Sequence, residues 1–474
     1  MTKFHSTVSR RDFMKGLGLA GAGLGAATVL SPGFHDLDEV SSASSGSTSG
    51  PGGELRRPWW VSEKDHGQTA TLEIDWSQVQ RADRSKISTF PYRQSDHPKA
   101  VYNREHFDEL QREVVRHAAP EWNGDSIRDW AINGATGVLR FYNYYTPAKT
   151  TMFMGYQKAP TPESRNMPRW EGTAEENTLM LRHAFKLFGA TDFGVTVLDE
   201  NTKKLVFAKE SNGKAYNFVS DDTLAETDTE YRIPSRFKYM ITWTHQEATE
   251  LNMRKPSNLG SSASNLAYSR LPFISVQLQE FIRGLGYHGI NAWSGEMAPS
   301  NPFGTLAGIG EHARMCFVLV TPERGSMIRG MCRMLTDIPL EPTKPIDAGI
   351  SRFCLTCKTC SKFCLFEALP NDDPTWDVHD QATTGMPYSP TGFKGWRLNT
   401  VNCSNCTACM AFCPFNASGR YSFIHDFVAG TSSVTPIFNS FFAQMEESMH
   451  YGNKDPESWW NNQEYLYGIN PKFI

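Results

Sequence analysis

Apolar side chains recur at helical spacing in three segments of the chain. After Asn103, a favourable capping residue, residues 103–119 carry an apolar side chain every three or four positions. These positions are Phe107, Leu110, Val114 and Ala118. A second helix is predicted to begin after Thr173, whose hydroxyl forms a capping-box pattern with Glu176, and to end at Gly189. Both segments are typical of amphipathic helices with one buried face.

The third helical segment, residues 271–287, ends at Gly286 and presents five apolar residues on one face. These residues are Ile274, Leu278, Phe281, Ile282 and Leu285. Two strands follow from other patterns. Val195 and Val197 alternate in the stretch FGVTVLD (residues 193–199), and residues 315–322 form an apolar run typical of a buried strand.

The order of these elements divides the chain into five segments. Helices alternate with strands over residues 103–340, which favours an α/β (α+β) layered core. The stretch SSASSGSTSGPGG (residues 41–53) is typical of a flexible linker, and LEPTKPIDAG (residues 340–349) marks a domain boundary. The predicted segments are a signal (1–43), a linker and N-terminal region (44–102), a main domain (103–340), a cysteine-rich module (341–425) and a C-terminal extension (426–474). The extension is aromatic and is predicted to pack on the main body through Trp459, Trp460, Tyr465 and Tyr467.

Composition and charge exclude several classes of function. The net charge is −4, with 47 basic and 51 acidic residues, so no field would attract nucleic acid or anionic lipid. The Gly-rich stretch at 304–310 lacks the Lys-Ser or Lys-Thr of a phosphate-binding loop. Neither an H-E-x-x-H zinc motif nor a G-x-S-x-G nucleophile motif occurs in the chain.

The N-terminus has the layout of an export signal. A basic start around Arg10 and Arg11 precedes an apolar run at residues 16–30 and a small-residue tail ending near Ala43, the expected cleavage region. The run is too short for a membrane span, which needs about 20 apolar residues. Residues 9–15, SRRDFMK, resemble the twin-arginine pattern, which directs folded proteins across the cytoplasmic membrane.

Eight of the ten cysteines fall into two runs of the form C-x-x-C-x-x-C-x-x-x-C. In such a run the first three thiolates suit one cubane cluster and the fourth reaches the neighbouring cluster. The spacing therefore predicts two 4Fe-4S clusters. One is bound by Cys354, Cys357, Cys360 and Cys413, and the other by Cys403, Cys406, Cys409 and Cys364. Pro414 completes the ferredoxin pattern in the second run, whereas Leu365 replaces that proline in the first.

Two other interpretations of the cysteines remain. An exported chain with an even number of cysteines is also compatible with a disulfide scaffold, but the spacing argues against it. Zinc is the competing metal, but zinc ribbons use pairs of cysteines, and two quartets of thiolates exceed the four ligands of a tetrahedral ion. Cys316 and Cys332, outside the runs, are interpreted as buried thiols. Clusters must be assembled where thiols stay reduced, so export of an already folded protein is consistent with the cluster hypothesis.

Four short motifs precede the cysteine runs: FIRGLGY (281–287), AGIGE (307–311), TPERG (321–325) and TDIPL (336–340). Together with the twin-arginine start and the cysteine runs, their order resembles the respiratory reductive dehalogenases over nearly the whole chain. The resemblance implies a nitroreductase-like, corrinoid-binding core followed by a ferredoxin-like module. It also implies the reaction R–X + 2e⁻ + H⁺ → R–H + X⁻ on a small organohalide. Since no D-x-H-x-x-G motif occurs, a base-off corrinoid (cobalamin-type) is expected.

The resemblance also implies a tyrosine proton donor supported by a basic residue. We expect these residues to be Tyr268 and Arg314, with Asn291 as a third polar group and Arg329 as the alternative to Arg314. A guanidinium would stabilise the tyrosinate that remains after proton transfer. Packing in the core is the alternative role for Tyr268.

Partners and location follow from the same resemblance. It implies a protein at the outer face of the cytoplasmic membrane, with a membrane anchor protein, electron-donating respiratory components and a possible homodimer, but no nucleic acid. Two other functions are considered. A queuosine-biosynthesis-type reductase acts on tRNA in the cytoplasm, and an exported iron–sulfur electron-transfer subunit would lack catalytic cobalt.

Overall fold

The computed structural model describes the chain in segments. They are residues 57, 60–66, 71–86, 105, 123–139, 153–290, 297–316, 318–364, 366–378, 391–400, 402–403, 405–416, 429–449, 454–461 and 464–469. The predicted signal and most of the predicted helix at 103–119 lie outside these residues. No helix within the described segments is both long enough and apolar enough to cross a membrane.

The described helices and strands span both the main domain and the cysteine-rich module. The α-helices are α1 (Ile127–Gly137), α2 (Ala174–Phe188), α3 (Thr249–Asn252), α4 (Asn258–Gly284), α5 (Ser300–Leu306), α6 (Ile350–Cys357), α7 (Thr359–Lys362), α8 (Ala408–Ala411) and α9 (Asn439–Met449). The strands are β1 (Ser62–Glu63), β2 (Glu73–Ile74), β3 (Asp192–Val197), β4 (Ala215–Val219), β5 (Ala225–Glu226), β6 (Glu230–Pro234), β7 (Tyr239–Gln246), β8 (Gly289–Ile290), β9 (Ile328–Thr336), β10 (Ile346–Asp347) and β11 (Phe393–Lys394). Short 3-10 helices lie at Arg84–Lys86, Glu163–Arg165, Thr202–Leu205, Glu457–Asn461 and Leu466–Gly468.

Helix α2 confirms the capping prediction. The Thr173 hydroxyl accepts a hydrogen bond from the Glu176 amide at 3.2 Å, and the Glu176 carboxylate accepts one from the Thr173 amide at 2.8 Å. The helix ends at Gly189, whose φ of 103° lies in the left-handed region.

Helix α4 is longer than predicted. It begins at Asn258 rather than near Leu271 and contains Pro272. Its first half buries small residues such as Ala263 and Ala267, and it packs against α1. Such residues leave no broad apolar stripe, so the periodic pattern missed this half.

The main sheet has the strand order β3-β7-β9-β8, and its neighbouring strands are antiparallel. Helices α2 and α4 pack on one face, with Phe185 and Leu278 in the core beside Trp243. Helix α5 and the sheet β4-β6-β5 contribute to the core on the other face. Mixed helices and sheet were predicted, and the antiparallel pairing is typical of the α+β class.

The strand predicted for residues 315–322 is wrong. Val318, Leu319 and Val320 are buried, but the described residues of this segment form only isolated bridges, one of which joins Glu311 to Val320. Strand β9, whose residues are all buried, occupies the sheet instead. A buried apolar run does not by itself distinguish a strand from a packed loop.

A β-bulge interrupts the pairing of β7 with β9. The register shifts between Trp243, opposite Cys332, and His245, opposite Arg329, and Gly330 within the bulge has a φ of 93°. An extra residue turns the following side chains to the other face of the strand. Consequently Arg329 contacts Ser264 of α4, on the same face as Cys332.

Segments from the predicted N-terminal region and the cysteine-rich module pair with each other or with the main body. Strand β1 pairs with β10, and β2 pairs with β11. Within the module, Phe353 and Cys357 share a core with Ile328 of β9 and with Trp60. In the C-terminal extension, Trp460 donates a hydrogen bond to Asp129 of α1 at 2.7 Å. The module therefore packs against β9 of the sheet, and the extension contacts α1.

Candidate functional site

The two cysteine runs have the same local backbone. Lys358 and Thr407 each follow the second cysteine of their run, and both lie in the left-handed region with φ of 54° and 58°. In each run a short helix, α7 or α8, begins directly afterwards. A left-handed residue changes the chain direction, so both runs turn between their second and third cysteines.

The two runs also pack against each other at equivalent positions. Phe363 precedes Cys364 and Phe412 precedes Cys413, and their rings stack with centroids 4.2 Å apart and an interplanar angle of 10°. Helices α7 and α8 are in contact. The fourth cysteine of each run therefore lies where the runs meet.

Four cysteines from both runs surround one cavity. The cavity has an empty volume of ≈ 390 Å³ that includes space open to solvent, and it is lined by Cys364, Cys403, Cys406 and Cys409. The structure thus places the fourth cysteine of the first run with the first three of the second. This is the grouping that the spacing predicts.

The remaining four run cysteines lie in or against one hydrophobic core, and Cys409 of the first group packs against the same core. Burial raises the pKa of Cys360 well above its usual value, and thiolates at Cys354, Cys357 and Cys413 raise it further. Cys409 of the other group has the same effect, so the two groups are adjacent.

Each group contains thiols whose ionisation is opposed by their surroundings. Burial raises the pKa of Cys354 to about 12, with repulsion from Cys357, and raises the pKa of Cys403 to about 12. Such thiols become thiolates when a metal compensates the buried charge. The chemistry of the donor set therefore fits metal clusters.

The structure tests the alternatives for the cysteines. All ten cysteines are described and free, which contradicts the disulfide scaffold. Among the described residues, no three His, Cys, Asp or Glu side chains are spaced to hold a single metal ion. Cys332 is a buried thiol, and the Cys316 thiol lies 2.9 Å from the carbonyl oxygen of Arg314.

Glu311 holds the helix that carries Cys354 and Cys357. Its carboxylate accepts hydrogen bonds from the amides of Ala348 and Ser351, the latter at 2.9 Å, at the start of α6. Burial raises the pKa of Glu311 although these amides oppose the change. A carboxylate at this position accepts hydrogen bonds from backbone amides that have no acceptor within the helix.

Arg314 is buried inside the cysteine-rich module. Its guanidinium donates to the carbonyl oxygens of Cys354, Pro370 and Asp372 at 2.8–2.9 Å and lies 4.9 Å from the Trp396 ring centroid. The prediction that Arg314 supports Tyr268 is therefore wrong, because these contacts orient Arg314 toward the module.

Arg329, the alternative, lies beside Tyr268. Its guanidinium carbon is 5.8 Å from the centroid of the Tyr268 ring, and only 5% of its side chain is exposed. The Tyr268 ring is partly buried against the core between α4 and the sheet. Asn291 lies outside the described residues.

A fully buried carboxylate, Glu247, binds Arg329. Its Oε1 atom lies 2.6 Å from Arg329 Nε, and its Oε2 atom accepts a hydrogen bond from Lys255 Nζ at 2.8 Å. The Ser264 hydroxyl donates to Glu247 at 2.7 Å and accepts from Lys255 and Arg329 at 2.8 and 2.9 Å. We call Glu247, Lys255, Ser264 and Arg329 the buried ion cluster.

The ion cluster is charged and connects to the cysteine-rich module. Burial alone would raise the pKa of Glu247, but Arg329 and Lys255 outweigh it and lower that pKa. Burial lowers the pKa of Lys255 to about 8, opposed by Glu247. Lys255 Nζ also lies 3.9 Å from the sulfur of Met410, the residue after Cys409. The cluster therefore lies between Tyr268 and the second cysteine run.

Three members of the ion cluster were not predicted from sequence. Glu247, Lys255 and Ser264 belong to no motif, and single charged residues are usually solvent-exposed. One signal was present: Ser264 and Tyr268 are four residues apart, so they share a face of a helix. Because the periodic pattern did not predict the first half of α4, the shared face of Ser264 and Tyr268 was not predicted either.

Comparisons with known proteins give a consistent relationship. A family model described as "Reductive dehalogenase subunit" matches residues 56–222 and 213–340. The chain is 32% identical to a chloroethene reductive dehalogenase of Dehalococcoides mccartyi strain VS, covering 99% of this chain and 100% of that one. It is 30% identical to a trichloroethene reductive dehalogenase of D. mccartyi strain 195, covering 98% of both chains.

Solved structures share the fold. A catabolic reductive dehalogenase, NpRdhA, aligns with a TM-score of 0.58 at 18% identity, covering 92% of this chain and 54% of its own. A reductive dehalogenase whose structure is described as suggesting a mechanism for B12-dependent dehalogenation aligns with a TM-score of 0.55. This chain thus spans about half the length of those proteins. On its sequence matches along the full length, the chain belongs to the reductive dehalogenase family.

Proposed function

We propose that the protein is a reductive dehalogenase that replaces a halogen of an organohalide with hydrogen, using two electrons and one proton. The observation that carries this proposal is the 32% identity to a chloroethene reductive dehalogenase over the full length of both chains. The site is compatible with it, because the buried ion cluster connects the second cysteine run, which can bind an electron carrier, to a tyrosine that can supply a proton.

The cysteine groups are proposed to bind two 4Fe-4S clusters. The cavity lined by Cys364, Cys403, Cys406 and Cys409 would hold one cluster, and Cys354, Cys357, Cys360 and Cys413 would hold the other. Such clusters transfer single electrons. The equivalent backbones of the two runs favour a ferredoxin-like module.

A corrinoid is proposed as the catalytic cofactor, bound base-off by a nitroreductase-like core. When bound, it would supply a strongly reducing cobalt. Thr196, Thr242 and Asn301 have buried side-chain oxygen atoms that find no hydrogen-bond partner within the described part of the chain. Thr196 and Thr242 lie on strands of the main sheet, and Asn301 lies on α5, which packs against that sheet. These oxygen atoms could form hydrogen bonds with a cofactor that carries many amide groups.

Tyr268 is proposed to donate the proton through its phenol hydroxyl. Arg329 would then stabilise the tyrosinate, and the low exposure of its side chain strengthens that interaction by excluding water. Asn291 remains a proposed third polar group.

The substrate is proposed to be a small organohalide. Relatives are named for chloroethene and trichloroethene, while one similar solved structure is a complex with 3-bromo-4-hydroxybenzoic acid. Both chlorinated ethenes and halogenated aromatics are therefore included as test substrates.

Export by the twin-arginine route to the outer face of the cytoplasmic membrane is also proposed, on the basis of residues 9–15. A membrane anchor protein and respiratory electron donors would be the partners, and a homodimer is possible. Cell fractionation with and without Arg10→Lys and Arg11→Lys tests this location. Accumulation of the double variant in the cytoplasm would support it, and unchanged export would contradict it.

The activity is tested on anaerobically reconstituted protein. We expect about eight irons and one cobalt per chain, and halide release from trichloroethene with reduced methyl viologen. Tyr268→Phe should keep both metals and lose at least 100-fold in turnover, in line with loss of a general acid. Full iron without cobalt and without halide release would instead indicate an electron-transfer subunit.

A further inference from the structure

We infer that Glu247 is a positioning residue that holds the Arg329 guanidinium against Tyr268. This inference rests on the proposed function, in which Tyr268 donates the proton. Glu247 acts on Tyr268 through Arg329.

Position along the strand directs the Glu247 carboxylate toward Arg329. Glu247 directly follows β7, and its amide donates to the carbonyl oxygen of Met327 at 3.0 Å, one residue before β9. The bulge at Gly330 turns Arg329 to the face of the sheet covered by α4. The carboxylate and the guanidinium therefore meet beneath α4.

Contacts with Glu247 and Ser264 restrict the guanidinium. Arg329 Nε forms the close ion pair with Glu247, and Arg329 Nη2 donates to the Ser264 hydroxyl. Because Ser264 lies one helical turn before Tyr268, these contacts place the guanidinium carbon 5.8 Å from the phenol ring centroid. A long arginine side chain would otherwise adopt many rotamers.

Charge balance gives Glu247 a role that a neutral residue could not fill. The ion cluster contains two cations and one carboxylate, and the side chains of Glu247 and Lys255 are 0% exposed. The carboxylate offsets part of the repulsion between Lys255 and Arg329, which keeps both cations at this site. Without it, Arg329 would be expected to turn away from Lys255.

The experiment combines Glu247→Gln with Tyr268→Phe in reconstituted holoenzyme, with trichloroethene and reduced methyl viologen. We expect Glu247→Gln to lower kcat at least tenfold with KM changed less than threefold, and with iron and cobalt retained. In the Tyr268→Phe background it should change turnover less than twofold. An equal loss in both backgrounds, or wild-type turnover of Glu247→Gln, would overturn the inference.

A matched control is Glu250→Gln. Glu250 pairs with Lys454 at 2.8 Å and with Arg254 at 3.2 Å, outside the ion cluster. This variant should stay within twofold of wild-type turnover, and a loss like that of Glu247→Gln would count against a specific role for Glu247.

A second variant and a structural measurement keep the inference testable if Glu247→Gln does not fold. Ser264→Ala removes the hydroxyl that accepts from Arg329 and should lower kcat three- to tenfold, again with no further loss in Tyr268→Phe. In crystal structures, the Arg329 guanidinium should move more than 2 Å from its position beside Tyr268 in the folded variants. An unmoved guanidinium refutes the positioning role even if the wild type releases no halide, whereas that lack of release refutes the proposed function.

Discussion

At the scale of single residues, two buried arginines differ in what they contact. Arg314 donates to carbonyl oxygens of the cysteine-rich module, and Arg329 lies over Tyr268. Arg314→Gln leaves buried carbonyl groups unpaired, at a cost of about 1–3 kcal/mol each, so we expect reduced iron retention. Arg329→Gln should retain iron and lose at least tenfold in kcat. Iron analysis measures the cluster content of each variant, and halide release measures its kcat. The same loss in both variants would contradict different roles for Arg314 and Arg329.

At the scale of secondary structure elements, Glu311 connects the main body to α6. We expect Glu311→Gln to lower the free energy of unfolding by about 1–3 kcal/mol and to lower iron content, because an amide cannot accept hydrogen bonds through both terminal atoms. Thermal unfolding and iron analysis measure this effect. Glu341→Gln is the control, since Glu341 is exposed, and an equal loss there would indicate a general effect of charge.

At the scale of the whole molecule, two buried histidines predict acid sensitivity. Burial lowers the pKa of His245 and of His312 to about 4, opposed by hydrogen bonds to the carbonyl oxygens of Gly189 and Trp396. The unfolded chain binds a proton near pH 6.5, while the folded chain excludes it until about pH 4. The free energy of unfolding should therefore fall between pH 6.5 and 4, by up to about 1.4 kcal/mol per pH unit for each histidine.

Unfolding midpoints between pH 8 and pH 4.5 measure this dependence. His245→Gln and His312→Gln should each flatten it, whereas His183→Gln, which alters an exposed histidine, should not. A dependence that stays equally steep in the two buried variants would mean that other groups cause the acid sensitivity.

Local signals explain which parts of the fold were predictable. The capping box at Thr173 and the end at Gly189 depend on neighbouring residues, and helix α2 matches both. The buried run at 315–322 and the first half of α4 depend on packing partners far along the chain. Their apolar or small residues indicate burial and leave the type of element open.

The sequence by itself determined the two cysteine runs and the export pattern, because each is encoded by spacing between near neighbours, and it determined the family resemblance through the order of short motifs along the chain. Only the tertiary structure decided which arginine lies beside Tyr268. The bulge in β9 and the position of Glu247 directly after β7 bring Arg329 and Glu247 under α4, whereas Arg314 is bound by the module. Such contacts join residues far apart in the chain, and no local pattern specifies them.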